Sequence, residues 1–120
     1  TPYFVPASAK LSAWFEKGFT HGITATAPGF YGPQGRVLRL ATSIPELHQK
    51  LQSFNYQDNR IVNFEMETSA LYAFGKMLGH ETITVCAVIA NRYHKTYSKD
   101  YKATVRNLIE KVLEIIVQKA

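Results

Sequence analysis

Thr82-Ile83-Thr84-Val85-Cys86-Ala87-Val88-Ile89-Ala90 is an unbroken run of β-branched and small apolar residues. A strand with one face in water would alternate apolar and polar; this one does not, so it predicts a central strand covered on both faces. Outward on either side, the spacing changes to that of a helix. Residues 66–78 carry Ala70, Leu71, Phe74 and Leu78 at helical intervals, with Gly79 as the stop, and predict a helix that turns those four side chains inward. Residues 102–119 repeat the pattern with Val105, Leu108, Ile109, Val112 and Ile116. A buried strand between two amphipathic helices argues for an α/β architecture.

The amino-terminal side fits the same plan. Ser8 is placed to cap a helix reaching Lys17, with Leu11, Trp14 and Phe15 on one face and Gly18 ending it. Residues 22–26 form a short β-type run closed by Pro28-Gly29 and Gly32-Pro33, both turn signals. Residues 36–40 and 60–64 read as two further short strands. Between them Ser43 and Glu46 have capping-box spacing for a helix through Leu47 and Leu51. No repeat, linker or low-complexity stretch interrupts the pattern.

Composition sets outer limits. The chain has 120 residues, 46% hydrophobic and 19% charged, as one globular domain does. Its longest apolar run is too short to cross a bilayer, and residues 1–10 lack the basic start and apolar stretch of a signal peptide. Cys86 is the one cysteine, which gives no disulfide framework and suits a reducing cytoplasm as a small core residue. The formal charge of +5 is spread along the sequence and suits an anionic ligand such as phosphate as well as nucleic acid. The four histidines are scattered without ligand spacing, so no metal site is expected.

Three polar clusters occupy equivalent places. Gln34 and Arg36 follow the 22–26 run, Glu65 and Glu67 stand where the 60–64 strand turns into a helix, and Asn91 and Arg92 directly follow the 82–90 run. Ligands of open α/β sheets bind at the carboxyl ends of strands, so neighbouring strands would gather these clusters around one pocket. The residue types suit a nucleoside. An amide both donates and accepts while a guanidinium only donates, and a carboxylate accepts from ribose hydroxyls. Phe30 and Tyr31 offer a flat apolar wall.

The segment Gly22-Ile23-Thr24-Ala25-Thr26-Ala27-Pro28-Gly29-Phe30-Tyr31-Gly32-Pro33-Gln34-Gly35-Arg36 resembles the uridine phosphorylase segment ending Phe-Tyr-x-x-Gln-x-Arg. Asn63-Phe64-Glu65-Met66-Glu67-Thr68-Ser69-Ala70 resembles that family's Glu-Met-Glu-Ser-Ala segment, and Val88-Ile89-Ala90-Asn91-Arg92 resembles its Val-Ile-x-Asn-Arg segment. The three stand in family order. Glu-Met-Glu recurs across the wider nucleoside phosphorylases and nucleosidases and speaks for the sugar; Phe-Tyr-x-x-Gln-x-Arg is narrower and speaks for a pyrimidine. Purine-type relatives carry aspartate where this chain has Asn91.

The resemblance implies part of a three-layer α/β/α fold with a central mixed sheet, residues 1–120 forming the carboxyl-terminal portion of a single nucleoside phosphorylase domain. It implies phosphorolysis of uridine to uracil and ribose 1-phosphate, by a cytoplasmic homo-oligomer acting on a nucleoside and phosphate. No cofactor is implied beyond phosphate as co-substrate, nor a nucleic-acid or membrane partner. Carried over by position, Arg36 and Glu67 are the catalytic residues. Gln34 and Arg36 take the uracil edge and Phe30 packs by sugar and base. Glu65, Met66 and Glu67 hold the ribose. Ile89 and Ala90 line the base pocket beside Asn91, and Arg92 supports a uracil carbonyl. The family's phosphate-binding glycine-rich loop, arginines and threonine turn have no counterpart here, so the chain is expected to be a fragment without turnover of its own.

Plainer readings compete. Arg36 could be an ordinary surface arginine, and Glu65 and Glu67 could be helix-start carboxylates that complement the dipole. A nucleosidase or purine phosphorylase is the alternative within the enzyme class. The basic and aromatic stretch 92–102 suggests a non-catalytic nucleic-acid-binding module, or a solvated loop.

Overall fold

The computed structural model describes residues 3–119. Its centre is a small mixed sheet in the order β1-β3-β2. Strand β1 (Ile23–Thr26) runs parallel to β3 (Asn59–Glu65), with Thr26 opposite Glu65, so both strands end at the same edge. Strand β2 (Asn55–Tyr56) pairs antiparallel with the start of β3 through a two-residue turn. Gln57 and Asp58 in that turn both have positive φ, as a primed hairpin turn requires. The sequence reading missed this hairpin because neither Gln57 nor Asp58 is glycine.

Helix α1 (Ala9–Trp14) is capped as expected, Ser8 Oγ accepting from the Leu11 amide at 3.0 Å, but it stops at Phe15 rather than reaching Lys17. Helix α2 (Leu47–Ser53) departs further. Ser43 is not its cap; Glu46 stands at the boundary in a left-handed conformation without a side-chain cap, so the Ser43–Glu46 box does not form. The expected strand over residues 36–40 is absent: it finds no ladder partner, and Val37, Leu38 and Leu40 are exposed.

Helix α3 (Thr68–Met77) forms, but with the opposite face inward. Leu71, Phe74 and Leu78 are exposed, as is Ala70, while Thr68 and Gly75 are buried. The cause is the segment beneath. Thr68 Oγ1 donates to Thr84 Oγ1 at 3.2 Å, and the Thr84 amide donates to the Tyr72 hydroxyl at 2.8 Å. A Cβ on Gly75 would collide with Thr82. The small and polar face seats close to residues 82–84 and satisfies their polar groups; the bulky apolar face could do neither.

Residues 82–89, expected as the central strand, lie in no ladder among the described residues. Their backbone is tied at the ends, by Ser8 N to Thr82 O at 2.9 Å and Ser98 N to Ile89 O at 2.8 Å. Then β4 (Ala90–Asn91) and β5 (Thr96–Tyr97) make a short hairpin, and α4 (Tyr101–Lys119) follows with Asp100 accepting from the Ala103 amide at its start. The basic and aromatic stretch is therefore a hairpin and a helix start. Of the row expected on α4, Leu108 and Val112 are half-buried while Val105, Ile109 and Ile116 are exposed. Phe15 and Ala27 are the buried apolar side chains of the described residues. No described helix is long and apolar enough to cross a membrane.

Candidate functional site

The common edge of β1 and β3 sets the site. The chain leaves β1 at Thr26, turns through Pro28-Gly29, and makes a 3-10 turn over Gly32–Gln34. Gly35 closes that turn at φ 73°, a left-handed conformation that glycine takes without strain. This places Gln34 inward, 3% exposed, and sends Arg36 back over the loop. The Arg36 guanidinium donates to the Phe30 carbonyl and lies 3.5 Å from the centre of the Phe30 ring. Tyr31 stands edge-on to Phe30.

Gln34 is the junction. Its Oε1 accepts from Arg36 Nη1 at 2.8 Å and from Arg92 Nη2 at 2.6 Å. Arginine has no acceptor atom, so this contact settles which end of the amide faces the two guanidinia. The amide NH2 is left to donate elsewhere. The Arg92 guanidinium also lies 6.0 Å from the Phe64 ring centre. Partial burial, and then the neighbouring Arg36, lower the Arg92 pKa, with Tyr97 acting the other way. Two cations thus converge on a neutral amide oxygen, and the donors they have to spare suit a carbonyl-rich or anionic ligand edge.

The carboxylates divide into two roles. Glu65 is wholly engaged: Oε1 accepts from Thr26 Oγ1 at 2.5 Å, and Oε2 accepts from the Glu67 and Thr68 amides, each at 2.7 Å. Thr26 Oγ1 in turn accepts from the Ser69 amide at 3.0 Å. Glu65 and Thr26 together satisfy amides at the start of α3, which is the structural role weighed for Glu65 in the sequence. Partial burial raises the Glu65 pKa, but the hydrogen bonds from Thr26, Glu67 and Thr68 outweigh it and hold the group below its ordinary value. The clamp projects Glu67, whose side chain is exposed and makes no hydrogen bond among the described residues. Met66, between them, is half-buried.

A model of the phosphorylase superfamily matches residues 2–119. The chain belongs to that superfamily. It is 38% identical over 84 residues to a uridine phosphorylase of Thermococcus kodakarensis, a match covering 65% of this chain and 27% of that protein. It is 28% identical over 99 residues to a uridine phosphorylase of Haemophilus influenzae, covering 82% of this chain and 38% of that protein. The chain thus spans between about a quarter and two fifths of the length of these curated relatives. No solved structure gives a significant match.

Within this phosphorylase-superfamily chain, the structure joins Phe30, Gln34, Arg36 and Arg92 by direct contact. Glu65 and Glu67 are set at the same sheet edge by the Thr26–Glu65 pairing. Asn91 is not drawn in: its Oδ1 accepts from the His94 amide at 3.0 Å and serves the hairpin turn. Ile89 is exposed and Ala90 half-buried where they enter that hairpin. Sequence reasoning overlooked Thr26, whose partners lie 39 and 43 positions away and leave no local trace. It also passed over His48, which stands edge-on to Phe64 with ring centres 6.4 Å apart. The apolar groove of about 430 Å³ lined by Leu11, Trp14, Phe15, Val85, Val112 and Ile116 is on other elements and has no titratable lining residue.

Proposed function

We propose that this chain carries the base- and ribose-recognition part of a pyrimidine nucleoside phosphorylase acting on uridine. One observation carries the reading: two guanidinia share the Gln34 oxygen, so the amide NH2 and the remaining guanidinium N–H groups form a donor surface. Uracil offers carbonyl oxygens to such a surface. Cytosine and adenine carry an amino group in place of a carbonyl and would set donor against donor.

The same surface suits the reaction. As phosphate attacks C1′ and the bond to the base lengthens, negative charge grows on the departing uracil and positive charge on the ribose. Arg36, Arg92 and the Gln34 amide, already in place, stabilise the base as it gains charge, which is electrostatic preorganisation. Glu67 accepts from ribose hydroxyls and favours the cationic character of the sugar. Glu65 acts through the backbone by holding Glu67 where it stands. Phosphate is the co-substrate, and its binding groups lie outside these clusters, so the chain alone binds base and sugar without turning them over.

The test is phosphate-dependent release of uracil from uridine, by this chain and by a longer polypeptide that adds an amino-terminal half, each with an Arg36→Ala control. Activity in the longer polypeptide alone, lost with Arg36→Ala, is the expected result. Release of base from inosine but not from uridine would replace the pyrimidine reading with a purine one.

A further inference from the structure

His48 lies on α2, outside the motifs that suggest nucleoside binding, yet it faces their centre. A Cβ built on Gly35 would come within 3.3 Å of His48 Nε2, so the ring is seated against the backbone between Gln34 and Arg36. On its other side it meets Phe64 edge-on, and Phe64 in turn is approached by the Arg92 guanidinium. The ring is half-buried. The charged groups that bear on it are both cations, Arg92 from the turn after β4 and Arg36 from the loop after the 3-10 turn; β3 presents the neutral Phe64.

From this placement we propose that His48 is a positioning residue for the Gln34–Arg36–Arg92 cluster: an uncharged side chain at this place leaves the two guanidinia together on Gln34, and protonation of the ring opens the cluster. The link to base binding rests on the phosphorolysis reading; the link to the guanidinia does not. A protonated ring would be a third cation beside two that already share one oxygen. Like charges repel, and desolvation raises the cost. Burial first, and then Arg92 and Arg36, lower the His48 pKa, as expected of a ring that the cluster keeps neutral. Glu65 already lies below the ordinary carboxylate range, so it does not titrate in the same window.

Two measurements test this. The first needs no ligand: the His48 ring is titrated by NMR in the native chain and in Arg92→Gln. The expected result is a His48 pKa that rises when Arg92 loses its charge; an unchanged titration overturns the proposal. The second measures uracil affinity against pH in the native chain and in His48→Gln. Native affinity is expected to fall by about tenfold per pH unit below the His48 titration, and His48→Gln is expected to abolish that slope while keeping the affinity found at neutral pH. Equal loss of affinity at every pH in His48→Gln would mean a merely structural role and overturns the proposal. Should uracil not bind the native chain at any pH while Arg92→Gln still shifts His48, the positioning role stands and the phosphorolysis reading fails.

Discussion

Arg92 donates to the side-chain oxygen of Gln34 at 2.6 Å across 58 positions of sequence, on the same oxygen that Arg36 occupies. One buried amide therefore holds two cations that would otherwise repel. Gln34→Leu keeps the volume but removes the acceptor. Hydrogen bonds to charged groups are worth about 1.5–3 kcal/mol, so the variant should lose about 2 kcal/mol of stability by urea unfolding. Uracil affinity, read by calorimetry, should fall by about tenfold or more as Arg36 and Arg92 separate. Unchanged uracil affinity would show that the junction does not organise the base site.

Glu65 and Glu67 are two positions apart and should answer differently to substitution. Glu65→Ala removes the acceptor of the Glu67 and Thr68 amides and the partner of Thr26. Loss of a helix cap costs about 1–2 kcal/mol, and thermal unfolding should report it. Glu67→Gln touches no such contact and should leave stability within about 0.5 kcal/mol. Its effect should appear as weaker binding of uridine with uracil binding unchanged, as the proposed ribose role of the carboxylate requires. A shared loss of both ligands would move Glu67 away from the ribose.

The Glu65 carboxylate also sets a pH dependence. Hydrogen bonds from Thr26, Glu67 and Thr68 hold its folded-state pKa below the ordinary value of 4.5. The unfolded chain therefore takes up the proton first as pH falls. The stability contributed by Glu65 is present in full above the ordinary value and is lost as pH drops through the folded one. Urea unfolding of the native chain between neutral pH and about pH 3 should show this decline. Glu65→Gln should be less stable at neutral pH and should decline less steeply, so that the two curves converge in acid.

The sequence made elements legible where the signal is local, and misled where a contact decides the outcome. Ser8 capping α1 and the start of α3 are local events; the cap forms where expected, and α3 begins at Thr68 rather than at Met66. The orientation of α3 is not local. Leu71, Phe74 and Leu78 have the spacing of a core face, yet the contacts of Thr68, Tyr72 and Gly75 with Thr82 and Thr84 choose the opposite face. Apolar periodicity records which residues avoid water; it does not record which neighbour can be approached. In the candidate site, Gln34, Arg36 and Arg92 were readable as a set from their motifs. Thr26 and His48 were not, because a threonine in a strand and a histidine on a helix carry no pattern until the chain brings Glu65 and Gly35 beside them.

The reversed face of α3 gives the sharpest packing test. Alanine favours a helix interior over glycine by about 1 kcal/mol, so Gly75→Ala would stabilise α3 if that face were free. Here the new Cβ would collide with Thr82, a β-branched side chain with little freedom to yield. Overpacking of this kind costs about 1–3 kcal/mol, which outweighs the propensity gain, and a net loss of about 1 kcal/mol is expected. Phe74→Ser, on the exposed face at 62% exposure, should change stability by no more than about 0.5 kcal/mol. Chemical unfolding of the two variants reads the difference directly. Were α3 seated as its apolar spacing suggests, the order would reverse, with Phe74→Ser the damaging change and Gly75→Ala the stabilising one.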